Sequence, residues 1–135
     1  MSELVGGCLC GKIRYVSKAE PVMTAICHCK NCQKQAGSAF SIIVGVPKSA
    51  LAVTGALKTF NDSGSSGKPV HRNFCPDCGS PITTDVEAMP DLVFIKAGTL
   101  DDTNSLVPTM EIFCSSAQPW TTRGVQMQKF AGAPG

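Results

Sequence analysis

No apolar run in this sequence is long enough to cross a bilayer. The longest, Ala39 to Pro47, falls far short of the roughly 20 residues that a transmembrane helix needs. The opening residues Met1-Ser-Glu-Leu-Val-Gly-Gly lack the basic segment and apolar stretch of a secretory signal, so a cytoplasmic location is expected. Charge of either sign is scarce. Twelve basic against ten acidic residues leave a formal +2, too little to draw nucleic acid or an anionic membrane by long-range attraction, and neither is expected as a partner. No internal repeat divides the chain, and 135 residues suit one domain over 1–135 with a core of its own.

What the sequence does have is cysteine. Eight are present in a chain read as cytoplasmic, where structural disulfides are rare and clustered cysteine points to metal or catalysis. They fall as Cys8-Leu-Cys10, Cys27-His-Cys29-Lys-Asn-Cys32 and Cys75-Pro-Asp-Cys78, with Cys114 alone. Cys75-Pro-Asp-Cys78-Gly79 has the form of a zinc knuckle, in which a tight turn brings two thiolates to one ion and glycine takes the unusual backbone angle. A tetrahedral site needs two more soft ligands, and Cys8 and Cys10 supply them if they lie two apart in an extended segment and face one side. Gly6, Gly7 and Gly11 give the backbone room to turn there.

Three thiolates within residues 27–32 carry a different message. Closed structural zinc sites take four protein ligands, whereas catalytic zinc keeps three and leaves a position for water or substrate. A thiolate substrate suits such a position. The alternatives are a second structural zinc closed by His28 or Cys114, and a redox pair, although no βαβ pattern surrounds the cysteines. His28 is expected to point away from the face shared by Cys27 and Cys29. Cys114 reads as a small core residue and His71 as a strand residue with a satisfied hydrogen bond.

Short segments rich in β-branched and aromatic residues recur between turn formers: 12–16, 22–26, 39–46, 58–60, 70–74, 82–84, 92–96 and 109–113. The fold class is therefore mainly β. The run 61–67 reads as a flexible loop, not a domain linker, because the cysteine pairs on either side of it must meet. A short helix is expected over Lys30 to Ala36, ending at Gly37, with its first amides near the three-cysteine cluster.

These motifs, Gly7-Cys8-Leu-Cys10-Gly11-Lys-Ile-Arg-Tyr15, Cys27-His-Cys29-Lys-Asn-Cys32-Gln33-Lys-Gln-Ala-Gly37-Ser-Ala-Phe40-Ser41 and Arg72-Asn-Phe74-Cys75-Pro-Asp-Cys78-Gly79-Ser-Pro81, resemble the glutathione-dependent formaldehyde-activating enzyme family, which includes the centromere protein V type. The likeness continues through Gly98-Thr-Leu100-Asp101-Asp102 to Pro108 and Trp120. It implies packed antiparallel β-sheets held by a four-cysteine zinc site, as in a zinc-bearing Rab-accessory protein. It also implies two zinc ions per chain. Cys8, Cys10, Cys75 and Cys78 match the structural ligands, and Cys27, Cys29 and Cys32 match the catalytic ones.

The activity implied is that of a carbon–sulfur lyase joining glutathione and formaldehyde into S-(hydroxymethyl)glutathione, with a small thiol and an aldehyde as partners. Lys30, Lys34 and Arg72 adjoin the motifs and could receive a glutathione carboxylate, although each reads more readily as a solvated surface charge. Gln33 and Ser41 are candidate hydrogen-bond contributors. Glu111 stands where some relatives carry histidine, which leaves room for another thiol or aldehyde. The competing readings are a zinc-stabilised binding module without catalysis and a metal-storage or redox-buffering protein.

Overall fold

A computed structural model describes residues 3–121 and 127–134. Its strands are β1 (Leu4–Gly7), β2 (Arg14–Ser17), β3 (Met23–Cys27), β4 (Ser41–Pro47), β5 (Leu51–Thr54), β6 (Lys58–Ser63), β7 (Pro69–Phe74), β8 (Pro81–Val86), β9 (Leu92–Lys96) and β10 (Met110–Ile112), with one helix, α1 (Lys30–Ala36), between β3 and β4. They form a three-stranded sheet, β1-β2-β5, and a seven-stranded sheet, β10-β3-β4-β9-β8-β7-β6. The architecture is mainly β, as expected. No helix among the described residues is long and apolar enough to cross a membrane.

Three local expectations need correction. The larger sheet is mixed, because β10 runs parallel to β3 with Glu111 opposite Ile26. A parallel pairing requires a long crossover, and the chain from β3 to β10 supplies it. The run 61–67 is not a free loop: β6 continues to Ser63 opposite Pro69, and a tight turn closes the hairpin with Gly64 N–H donating to Lys68 O at 3.1 Å. Gly6 and Gly7 are strand residues of β1 rather than turn residues. A Cβ on Gly6 would run into the Thr99 carbonyl and the Tyr15 ring, so glycine here permits close approach of strand to chain.

The seven-stranded sheet has two working faces. One packs against the small sheet through Val44, Val46, Val93 and Ile95, which meet Ile13 and Tyr15 in the core. Full burial of each large aliphatic side chain contributes about 1.5–3 kcal/mol. Ile82 joins them, fully buried, where the β7–β8 register shifts between Asn73 and Phe74. The shift is a bulge that leaves Ile82 outside the pairing. Side chains of opposite parity, including Ile43, Phe94 and Thr84, cover the other face.

Further ties hold the small sheet in place. Thr99 Oγ1 donates to the Lys96 carbonyl at 2.7 Å, which leaves it to accept from the buried Tyr15 hydroxyl at 2.6 Å. Arg14 pairs with both oxygens of Asp101, and Asp101 N–H reaches Val5 O at 2.9 Å. Gly6→Ala should therefore cost about 1–3 kcal/mol, because a backbone oxygen cannot step aside. Gly98→Ala, with nothing within 4 Å of the added carbon, should be nearly neutral. Chemical denaturation of the two variants beside the parent measures the difference.

Candidate metal centres and the adjoining cavity

Cys8, Cys10, Cys75 and Cys78 are gathered with their sulfurs all within 4.8 Å of one another. Cys8 and Cys10 do not lie in an extended segment as expected. β1 ends at Gly7, and Gly11, at φ 84°, donates to Cys8 O at 3.2 Å to close a turn. The second pair is built alike: Gly79, at φ 77°, donates to Cys75 O at 2.9 Å. Two similar knuckles thus face each other across the fold. Leu9 N–H donates to Ser80 Oγ at 3.1 Å, and Ile13 N–H donates to Cys8 Sγ at 3.2 Å. Hydrogen bonds from the Ser80 side chain and backbone hold the Cys78 thiol down to about 5.

Cys27, Cys29 and Cys32 form the second group, again with sulfurs within 4.8 Å. Cys27 ends β3, Cys29 is the N-cap of α1, and Cys32 lies in the first turn of that helix. The N-cap role is filled by sulfur, since Cys29 Sγ accepts from Cys32 N–H at 3.2 Å. Gly37, at φ 64°, ends the helix in the left-handed conformation, donating to the carbonyls of Gln33 and Lys34. Seven residues make a marginal helix alone. Tertiary bonds hold it: Gln33 Nε2 donates to His28 O at 2.6 Å and Ser116 O at 3.0 Å, while Gln118 donates to Gln33 Oε1 at 2.8 Å. Trp120 Nε1 donates in turn to Gln118 at 3.0 Å.

His28 stands apart from the cluster. It is 5% exposed and donates through Nε2 to Glu111 Oε1 at 2.9 Å, across the β3–β10 pairing. Cys114 also stands apart, and it is exposed instead of being a core residue. It begins a single 3-10 turn behind Phe113, whose φ of 56° swings the chain outward. His71 is hydrogen-bonded as expected, to Asn61 and Glu87.

Two cations attend the three sulfurs. Arg72 is not a solvated surface charge: it is 5% exposed, with Nε on Asp62 at 2.9 Å and a guanidinium nitrogen 3.8 Å from Cys32 Sγ. Burial disfavours its charge, but Asp62 and Cys32 more than compensate and raise its pKa. Lys96, also 5% exposed, donates from Nζ to Ser41 Oγ at 2.8 Å. Burial lowers its pKa against the pull of Cys32. The Cys32 thiol is held down to about 5, first by a hydrogen bond from Cys27 and then, against burial, by Cys29, Lys96 and Arg72. Thiolate at Cys32 thus costs little here, and an all-sulfur donor set beside two cations fits a soft divalent ion.

Sequence reading missed Lys96. A lysine closing an apolar strand looks like an exposed end, and only the pairing of Lys96 with Ile43 turns it onto the cluster's face. Lys30 and Lys34 are exposed.

The three-cysteine group forms one side of a cavity of about 580 Å³. Its floor is the second face of the large sheet, and its walls include Ser63 to Ser66 from the β6–β7 turn and Phe113 with Ser116 from the segment after β10. Phe113 carries the one positive φ among described non-glycine residues, a strain of the sort that collects at binding sites. Arg72→Met should cost about 1–3 kcal/mol, because Asp62 loses its charged partner and keeps only the hydrogen bonds from Asn31 Nδ2 and Ser63 N–H. The double variant Arg72→Met/Asp62→Leu should recover part of the loss, and urea denaturation of the full cycle measures both.

Three comparisons bear on this arrangement. A crystal structure of a Rhodobacter sphaeroides protein is similar, with a TM-score of 0.61 and 20% identity, covering 79% of this chain and 98% of that one. At that identity the likeness speaks for the fold alone. No match is found among curated proteins. The family described as glutathione-dependent formaldehyde-activating enzyme matches residues 3–116, a span that holds both cysteine groups. The chain therefore belongs to the glutathione-dependent formaldehyde-activating enzyme family.

Proposed function

We propose that the protein is a zinc-dependent carbon–sulfur lyase or synthase that makes and breaks a thiol–aldehyde adduct, a reading supported by a family description that names glutathione and formaldehyde. Cys8, Cys10, Cys75 and Cys78 would hold a structural zinc, and Cys27, Cys29 and Cys32 a catalytic one. The observation that carries this reading is the three-sulfur group at the wall of a cavity, with no fourth protein ligand grouped with it among the described residues. Of the two candidates for closing it, His28 is bonded to Glu111 and Cys114 is exposed and outside the group. A binding module would call for a closed site. A cytoplasmic location, where thiols stay reduced, belongs to the same proposal.

Zinc bound at the open site would supply a position that favours the substrate thiol as its thiolate. The chain's own residues provide the rest. Arg72 and Lys96 offset the negative charge of the clustered sulfurs. The cavity would hold the aldehyde beside the thiolate, over an apolar floor. In the forward direction the sulfur lone pair forms the C–S bond as the carbonyl π pair moves to oxygen, which takes up the proton that the thiol released. The reverse step breaks the C–S bond and returns that proton to sulfur. No electrons are exchanged with a third party.

Metal analysis of the purified protein should find about two zinc ions per chain. Cys29→Ser should remove one of them, abolish adduct formation and leave the circular dichroism spectrum intact. Cys78→Ser should instead unfold the protein, since structural zinc contributes folding energy outright. Equal destabilisation by both substitutions would contradict the division of roles.

A further inference from the structure

His28 separates Cys27 from Cys29, and its bonds tie the peptide between those two sulfurs to a distant stretch of chain. Its N–H donates to Ile112 O at 3.0 Å, its ring to Glu111 at 2.9 Å, and its carbonyl accepts from Gln33 Nε2 at 2.6 Å. Gln33 turns the third contact toward the same stretch. Its amide also donates to Ser116 O at 3.0 Å, and its Oε1 accepts from Gln118 Nε2 at 2.8 Å. The peptide that sets the spacing of two sulfurs is thus fastened to residues 111–118.

That stretch is also a wall of the cavity. Phe113 and Ser116 line it together with Cys27, Cys29 and Cys32. Two bonds make the wall one tight turn, Ser116 N–H to Phe113 O at 3.0 Å and Ala117 N–H to Cys114 O at 3.1 Å. Gln33 is buried and directly follows Cys32, so one side chain joins the helix that carries the third sulfur, the peptide between the other two, and the wall. An amide suits this position, because it meets two carbonyls with N–H groups and a donor with its oxygen. Glutamate, of the same shape, would set a carboxylate against both carbonyls. The family match ends at residue 116, so Gln118 and Trp120, whose Nε1 donates to Gln118 at 3.0 Å, carry this network beyond the matched span.

We infer that Gln33 is a positioning residue that couples the three-cysteine site to the cavity wall, so that metal binding at Cys27, Cys29 and Cys32 sets the placement of residues 113–118. Drawing three sulfurs onto one ion fixes the His28 peptide, and the bonds through Gln33 and Ile112 carry that constraint to Phe113 and Ser116. Linkage makes the effect reciprocal: loosening the wall weakens metal binding by the same factor. The cavity is then complete only around a loaded site. This coupling rests on the zinc assignment proposed above for the three cysteines, and not on the reaction.

Trp120 is the only tryptophan of the chain, and its emission reports on the network from outside the metal site. The full-length, zinc-loaded protein is mixed with an excess of chelating dye, and zinc release and tryptophan emission are followed together. Zinc should leave in two phases, the faster from the three-cysteine group, and the emission should change in step with the faster one. Gln33→Glu should speed that phase by about tenfold and uncouple the emission from it. Gln118→Ala, between two 3-10 turns, should speed it by about threefold, and it reads the same contact should Gln33→Glu fail to fold. The double variant should lose no more than Gln33→Glu alone, since both changes break one bond. The slower phase and the circular dichroism spectrum should match the parent, which a general loss of folding would not allow. A parental fast phase in both variants, or an emission indifferent to zinc release, would overturn the coupling. Coupled emission without any adduct formation would end the lyase reading and leave the coupling standing, and a protein that binds no second zinc would end both.

Discussion

Two hairpin tips from different sheets meet at four sulfurs. Cys8 and Cys10 lie in the turn between β1 and β2 of the small sheet, and Cys75 and Cys78 lie in the turn between β7 and β8 of the large one. Each tip reverses at a glycine in the left-handed region, which presents its pair of thiols toward the other. The apolar core lies between the same two sheets, with Cys75 fully buried within it. Everything farther along the chain depends on this junction, since it fixes the small sheet over one face of the large sheet and leaves the opposite face free.

That free face is where the chemistry collects. Strand alternation sends Val93 and Ile95 to the core and Phe94 and Lys96 to the cavity, so β9 is buried on both sides. A charged residue facing inward on such a strand needs a counter-charge, and Cys32 provides it for Lys96 as Asp62 does for Arg72. Three sulfurs, two buried cations and an apolar floor thus share one face of the large sheet.

The cysteine groups were legible in the sequence because a metal site needs several soft ligands at short spacing, and spacing is a local property. The helix over Lys30–Ala36 was legible for the same reason, as its cap and its terminal Gly37 are adjacent in the chain. β1 and β5, four residues each, carry little periodic signal, and the glycines of β1 look like turn formers in the sequence because the approach of Thr99 and Tyr15 to Gly6 is set by distant residues. Partnerships across the sheet were hidden. Lys96 with the cluster, His28 with Glu111 and Arg72 with Asp62 all depend on register between distant strands. Exposed Cys114 follows Phe113, whose positive φ is one that its residue type rarely adopts.

A crystal structure of the purified protein, phased at the zinc absorption edge, tests the central claim most directly. Two anomalous peaks per chain are expected: one enclosed by the sulfurs of Cys8, Cys10, Cys75 and Cys78, the other bound by Cys27, Cys29 and Cys32 with its remaining position open to the cavity. A second peak closed by His28, Cys114 or any other protein ligand would contradict it, as would a protein that folds fully with no metal at the four-cysteine junction.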